Sequence, residues 1–296
     1  DPVRFGVGHG FFVGEGSLRG VTDVIKRLFT PRYNPKFARG EAAHAAQKAR
    51  AVGARRVRGA GRGGMARGRK VDSQLARVVR LLHHAGLSVD QYLGDAPLPV
   101  TRESKDQIDE LERLRKKAHP FVSHLLNALV HKLEDPLYPI DAQVAVGCYR
   151  RLRLGTGVDL VCRDERGGVW IVEIKTGYTE NYRQFCGYMR APFHERDDSP
   201  YHQHQIQLLL TTVLYRHTFP LSKVVGACVV RIDDYMTYRY NLEPYFVAKK
   251  DACLAVIETD LLHPPAAKKK KKPAAAAQKR ARAPAAKKPR VKRRTE

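Results

Sequence analysis

The chain has 296 residues and carries 54 Lys or Arg against 30 Asp or Glu, a formal net charge of +24. That length allows one sizeable core with tails, and no apolar run reaches the roughly 20 residues that cross a bilayer. A charge this large exceeds what solubility needs and points to a polyanionic partner, most directly nucleic acid. The five cysteines (Cys148, Cys162, Cys186, Cys228 and Cys253) are scattered, with no C-x-x-C pair. Neither a zinc site nor an iron–sulfur cluster is therefore expected, and a reducing compartment suits them. No signal peptide is visible; the chain starts at Asp1 rather than Met, so its natural start is taken as missing or processed.

Residues 1–37 open with glycine-rich turns and then GVTDVIKRLF, where Val21, Val24, Ile25, Leu28 and Phe29 fall at helical spacing. Thr22 or Asp23 is the expected cap. Residues 38–67 are rich in Ala, Gly and Arg, with Glu41 the only acid. They lack the apolar side chains that offset ordering entropy, which predicts a disordered basic loop. GRKVDSQLARVVRLLHHA, residues 68–85, predicts a helix with Val71, Leu75, Val78, Val79 and Leu82 on its apolar stripe. Residues 87–105 read as a loop. Lys105 to Leu133 read as one helix kinked at Pro120, with His119, His124 and His131 in packing or solvent roles.

YPIDAQVAV, residues 138–146, alternates as a strand, with Asp141 and Gln143 on one face. An arginine-dense turn or strand follows, in which Arg150, Arg151 and Arg153 are expected to contact nucleic acid. The next stretch, GTGVDLVCRDERGGVWIVEIKTGY from Gly155 to Tyr178, reads as two short strands joined by a turn ending in two glycines. Side chains alternate across a strand, so Glu173 and Lys175 share a face. Folding the hairpin about Arg166–Gly167 brings Asp159 opposite or diagonal to Glu173. Two carboxylates held close repel each other unless a cation sits between them, and hard oxygen donors suit Mg²⁺ or Mn²⁺.

Asp, then Glu-x-Lys on the following strand, resembles the PD-(D/E)XK nuclease superfamily, in its RecB-like exonuclease branch. The resemblance covers about residues 17–260 loosely and 138–232 well. It implies an α/β, restriction-endonuclease-like core over 68–263, with a central mixed sheet of about four strands flanked by helices. It also implies a metal ion held by Asp159, Glu173 and the Ile174 carbonyl, with Lys175 on the attacking water. The opening GVT before an amphipathic helix resembles the start of such domains, and the acidic or amide residue that the family often carries on the strand before its catalytic Asp has Asp141 and Gln143 as candidates here. Gly68-Arg-Lys-Val-Asp72 stands where the family places a glycine followed by a histidine, which would make Asp72 a further metal ligand. In His204-Gln-Ile-Gln207-Leu, Gln207 matches the family glutamine that contacts phosphate or metal-bound water, although Thr211 stands where tyrosine is usual.

Tyr178, Tyr182, Arg183 and Arg190 lie in an irregular stretch whose chemistry suits a strand-binding channel. Tyr201 to His217 reads as a helix, 224–232 as a buried strand, 235–247 as a strand and turn, and 252–262 as a closing helix. Residues 264–296 carry fourteen Lys or Arg and a single acid, Glu296. Such a tail should be disordered and grip DNA non-specifically, with Lys268, Lys269, Lys270, Lys287, Lys288 and Arg290 among its phosphate contacts. KKPRVKRR also resembles a nuclear-import signal, which suggests the nucleus, or a virion if the source is a large DNA virus. The expected function is a metal-dependent, sequence-independent deoxyribonuclease of exonuclease type. Two rivals remain: an inactive nuclease fold that binds or packages nucleic acid, and a structure-specific endonuclease. Oligomeric state is open.

Overall fold

The structure, a computed structural model, describes residues 4–5, 11–13, 16–30, 60–100, 104–148, 150–176, 180–183, 187–232 and 236–263. Two short strands, β1 (Arg4–Phe5) and β2 (Phe11–Val13), lead into β3 (Gly16–Gly20) and helix α1 (Val21–Leu28). Four helices follow: α2 (Ala60–Ala85), α3 (Val89–Leu93), α4 (Lys105–Lys117) and α5 (Pro120–Asn127). A π-helical turn, Ala128–Lys132, extends α5. Then come β4 (Tyr138–Cys148), β5 (Leu154–Arg163), β6 (Val169–Thr176), a single 3₁₀ turn (Glu180–Arg183) and α6 (Pro200–Thr218). The folded unit closes with β7 (Val224–Ile232), β8 (Thr237–Asn241), α7 (Pro244–Ala248) and α8 (Lys250–Leu262).

The fold is α/β. Six strands, β3 to β8, form a mixed sheet, and β1–β2 extend it beyond β3. The strands are built from β-branched and apolar runs such as Val169–Thr176, and successive side chains go to opposite faces. Val172, Ile174, Leu160 and Val230 pack on one side against Val71, Leu75, Leu111, Leu125 and Leu129 from α2, α4, α5 and the π turn. Ile171, Val161 and Val229 pack on the other against Val24, Phe193, Ile206, Leu210 and Ile257. Helices therefore cover both faces, as the sequence led us to expect.

Strand β5 is the hub. Antiparallel β4 follows one edge along its whole length. The other edge is shared: β3 pairs in parallel at Leu154 and Gly155, and β6 pairs antiparallel from Leu160 to Arg163. Between Gly155 and Leu160 that edge has no registered strand partner. The β5–β6 turn is closed by Asp164, whose Oδ1 accepts from the Arg166 and Gly168 amides at 3.0 and 2.7 Å. Gly167 sits at φ +77°, a conformation that a side chain would strain.

Four local expectations are corrected. Helix α1 has Gly20 as N-cap with no side-chain cap, so neither Thr22 nor Asp23 serves. The stretch 87–105 contains α3, started by a capping box in which Ser88 and Gln91 exchange bonds. Pro120 does not kink one long helix. It occupies the first turn of a separate one, capped by the His119 ring, which accepts from the Phe121 amide at 3.2 Å. Helix α2 starts at Ala60, inside the basic segment expected to be loop; residues 38–59 of that segment lie outside the described residues, as does the tail from 264. Among the described residues no helix is long and apolar enough to cross a membrane.

Gly226 faces the Trp170 ring, and a Cβ there would stand 2.5 Å from ring carbons. The ring has little room to give, since the Arg239 guanidinium covers it at 4.4 Å and Asp164 accepts from its Nε1 at 3.2 Å. Gly226→Ala should lower stability by about 1–3 kcal/mol in urea unfolding; an unchanged midpoint would contradict this packing.

Candidate active site

The last registered β5–β6 pair is Leu160 with Val172. One step further on, Asp159 and Glu173 would face each other, and there the backbone ladder stops. The Ile174 amide donates instead to the Asp159 carboxylate, Oδ2, at 2.9 Å. A strand residue's N–H and C=O point to the same edge, so the Ile174 carbonyl also looks towards the opened gap. From β4, Gln143 donates through Nε2 to Asp159 Oδ1 at 3.2 Å. Gln143 holds φ at +52°, a left-handed conformation that costs about 1 kcal/mol or more for a non-glycine residue.

Glu173 is 3% exposed. Lys175 Nζ stands 2.5 Å from its Oε1, and Gln207 on α6 donates to the same oxygen. The three glutamines of α6 divide their roles. Gln203 donates to Asp198, Gln205 fastens the backbone at Asn241 and Glu243, and Gln207 alone reaches Glu173. His204, one turn before Gln207, is buried, and its Nδ1 lies 3.3 Å from the Tyr182 hydroxyl. Burial first, and then the nearby Lys175 charge, hold its pKa well below the usual histidine range, so it is neutral.

On the other side of the gap, α2 comes close to the end of β6 at Gly68, where a Cβ would meet Thr176 Oγ1 at 3.1 Å. Asp72 follows one turn later. Its pKa is raised to about 7, by burial and then by the charge of Asp159, with Lys175 opposing. Glu173 is raised to about 8 by burial, then by Asp159; the adjacent Lys175 ammonium works against this but does not outweigh it, and Asp72 adds a smaller push upward. Asp72 and Glu173 therefore both feel the charge of Asp159, and Lys175 opposes it at each. Among the described residues no three Asp, Glu, His or Cys side chains form a ready-made metal shell. The oxygen donors on hand are the carboxylates and the Ile174 carbonyl.

The structure thus brings together Asp72, Asp159, Glu173, Ile174, Lys175 and Gln207; of the two candidates on β4 it brings Gln143 to Asp159, and it adds His204. Asp141 instead accepts from the neighbouring Ala142 amide. The arginines before β5 do not join the site. Arg153 lies six residues along the strand from Asp159, about 20 Å at about 3.3 Å per residue, and Arg151 pairs with Glu258 on α8. Arg183 lies over the Tyr201 ring at 4.4 Å, on the α6 side. Tyr178, Lys268, Lys269, Lys270, Lys287, Lys288 and Arg290 lie outside the described residues. Sequence reasoning passed over a basic groove of about 940 Å³ along α2, lined by Arg69, Asp72, Arg77, Arg80, His84 and Gln143. Its signal was present: Arg69, Arg77 and Arg80 recur on one face of that helix, at steps of eight and three.

These shifts fix a pH dependence. A carboxyl whose folded pKa lies above its ordinary value favours folding fully below that ordinary value, and the contribution is lost as pH rises through the folded one. For Asp72 and Glu173 that loss falls between the ordinary carboxyl range and about 7 and about 8. The metal-free protein should therefore melt lower at pH 9 than at pH 6. Glu173→Gln should flatten the dependence and melt above the parent chain at pH 9 in scanning calorimetry with EDTA. Parallel curves for the two proteins would contradict the assignment.

No protein-family model matches this chain, and no curated protein does. Among solved structures, the crystal structure of SSO0001 is similar at 13% identity and a TM-score of 0.28, over 64% of this chain and 74% of that one. A likeness this slight carries no argument, and the site is read from its own geometry.

Proposed function

We propose that the protein is a divalent-metal-dependent deoxyribonuclease of the PD-(D/E)XK type, acting on DNA without sequence preference and in exonuclease fashion. The observation that carries this reading is the meeting of Asp159, Glu173 and Lys175 at the point where β5 and β6 part. One buried carboxylate, Glu173, and two half-buried ones, Asp159 and Asp72, beside one ammonium form an anionic site that favours a further cation. Asp159, Glu173 and the Ile174 carbonyl would hold Mg²⁺ or Mn²⁺, with Asp72 as a further oxygen donor. This fits the Mg²⁺ habit of binding through one or two carboxylates and keeping waters or substrate phosphates. When bound, such an ion supplies polarisation of a phosphate oxygen and an acidified water.

The chain's own residues do the rest. Lys175 holds the attacking water or offsets charge developing on the phosphorane oxygens. Gln207 fixes the Glu173 carboxylate by donating to it, and Gln143 does the same for Asp159. The groove along α2 guides the phosphate backbone by charge, which reads no sequence. The tail from 264 to 296 strengthens attachment in a salt-dependent way, and KKPRVKRR provides a nuclear address. Zinc and iron–sulfur chemistry have no part in this reading.

The test is cleavage of end-labelled linear and covalently closed circular DNA, with Mg²⁺ or Mn²⁺ against EDTA. Metal-dependent loss of linear DNA alone is the expected result; nicking of the circle would make the protein an endonuclease. Lys175→Ala should lower cleavage by about 10²–10³-fold and leave DNA affinity nearly unchanged. Cleavage that persists in this variant would sink the site. Tight, salt-sensitive binding with no cleavage by the parent chain would transfer the protein to the packaging reading. Removing residues 264–296 should weaken binding and flatten its dependence on salt, since fourteen cationic side chains leave with it, while cleavage at low salt survives; an unchanged salt slope would leave the tail without that role.

A further inference from the structure

The sheet face that presents Glu173 and Lys175 does not end with them. Lys175 is the register partner of Arg231 on β7, and Arg231 is the partner of Tyr238 on β8. One pleat back, Glu173, Val229 and Tyr240 line up in the same way. The carboxylate site therefore runs sideways, across two strands, into an arginine and two tyrosines.

Their arrangement is specific. Arg231 is 6% exposed, with its guanidinium 4.1 Å from the Tyr238 ring centre and 5.4 Å from that of Tyr182. Arg183 is exposed and lies 4.4 Å over Tyr201 and 5.5 Å from Tyr240. Tyr182 and Tyr201 each meet Tyr240 at 5.4 Å, and the Tyr201 hydroxyl donates to Glu243 at 2.6 Å. The half-buried Tyr238 and Tyr240 rings lie within 14° of parallel, their centres 6.4 Å apart.

A buried aromatic seam would hold the sheet to α6 without cations. Here two guanidinium groups lie on its rings, one of them exposed, and the seam abuts Lys175. Aromatic faces beside arginine are the chemistry of single-strand binding, because every base offers a π face and every linkage a phosphate. A base inside a duplex is already stacked and must be freed first, at a cost of a few kcal/mol.

We propose that this arginine–tyrosine shelf receives unpaired nucleotides next to the bond to be cut. A base stacks at Tyr238 and Tyr240, Arg183 meets the adjoining phosphate, and Arg231 fixes the Tyr238 ring from within. The preferred substrate is then a single strand or a frayed end, not an intact duplex. The inference rests on the nuclease reading for its link to cleavage; strand binding by the shelf does not.

The experiment uses the full chain carrying Lys175→Ala, in EDTA. Its probes are a short DNA strand with 2-aminopurine near its end and the matching blunt duplex. The expected result is quenched fluorescence on the single strand. Replacing both shelf rings (Tyr238→Leu with Tyr240→Leu) should remove the quench and cut single-strand affinity about tenfold or more, the worth of about one stacked base, with duplex affinity unchanged. Retained quenching, or equal losses on both probes, would overturn the shelf. If the double variant does not fold by circular dichroism, Arg183→Ala at its exposed position decides. A loss confined to the single strand supports the proposal, and an equal loss or none overturns it. The nuclease reading is judged separately, by whether the parent chain cuts DNA with Mg²⁺. Cleavage at equal rates on single strand and blunt duplex, in parent and shelf variants alike, would remove the shelf and leave the nuclease standing.

Discussion

Everything in this molecule depends on one substituted hydrogen bond. Where β5 and β6 part, the Ile174 amide is satisfied by the Asp159 carboxylate rather than by a backbone carbonyl. A buried amide must be paired, and pairing it in this way fixes a negative group at the mouth of the gap. Glu173 is carried to the same place by register. Burial first, and then the charge of Asp159, raise the pKa values of Glu173 and Asp72, so the fold holds these carboxylates against both desolvation and repulsion. Lys175 relieves part of it. A divalent cation would relieve more, which ties the local architecture to the proposed chemistry.

The surrounding elements keep that arrangement rigid. Helix α6 is buried along most of its length and delivers Gln207 to Glu173. Helix α2 approaches because Gly68 lets it lie against Thr176, and this brings Asp72 within electrostatic reach. Gln143 accepts a strained backbone and donates to Asp159. Strain of this kind persists only where its neighbours over-determine it.

Much of this was legible because it is local. The Asp164 turn with its glycines fixes the hairpin, the two-residue period fixes the faces, and together they place Asp159 against Glu173. Gln207 was separable from its neighbours only through a resemblance to a family pattern; in the structure it donates to Glu173 while Gln203 and Gln205 bond elsewhere. The shelf was legible only in part: Tyr182 and Arg183 belong to the stretch whose chemistry suits a strand-binding channel, but Arg231, Tyr238 and Lys175 become neighbours only through the parallel β6–β7 and antiparallel β7–β8 registers. Arg150, Arg151 and Arg153 show the same limit on reading distance from sequence. They are close to Asp159 in sequence, but extended strand carries them about 20 Å from it. Pro120 misled for another reason: a proline fits the first turn of a helix as well as it breaks the middle of one.

The measurement that bears most directly on the central claim is the change in melting temperature on adding Mn²⁺ at pH 8, for the parent chain and for Asp159→Asn. Asparagine keeps an oxygen for the Ile174 amide and removes the charge. A cation held at the split in the sheet should raise the melting temperature of the parent chain by linkage and leave the variant almost unmoved. Equal shifts in the two proteins would place the metal elsewhere and contradict the account.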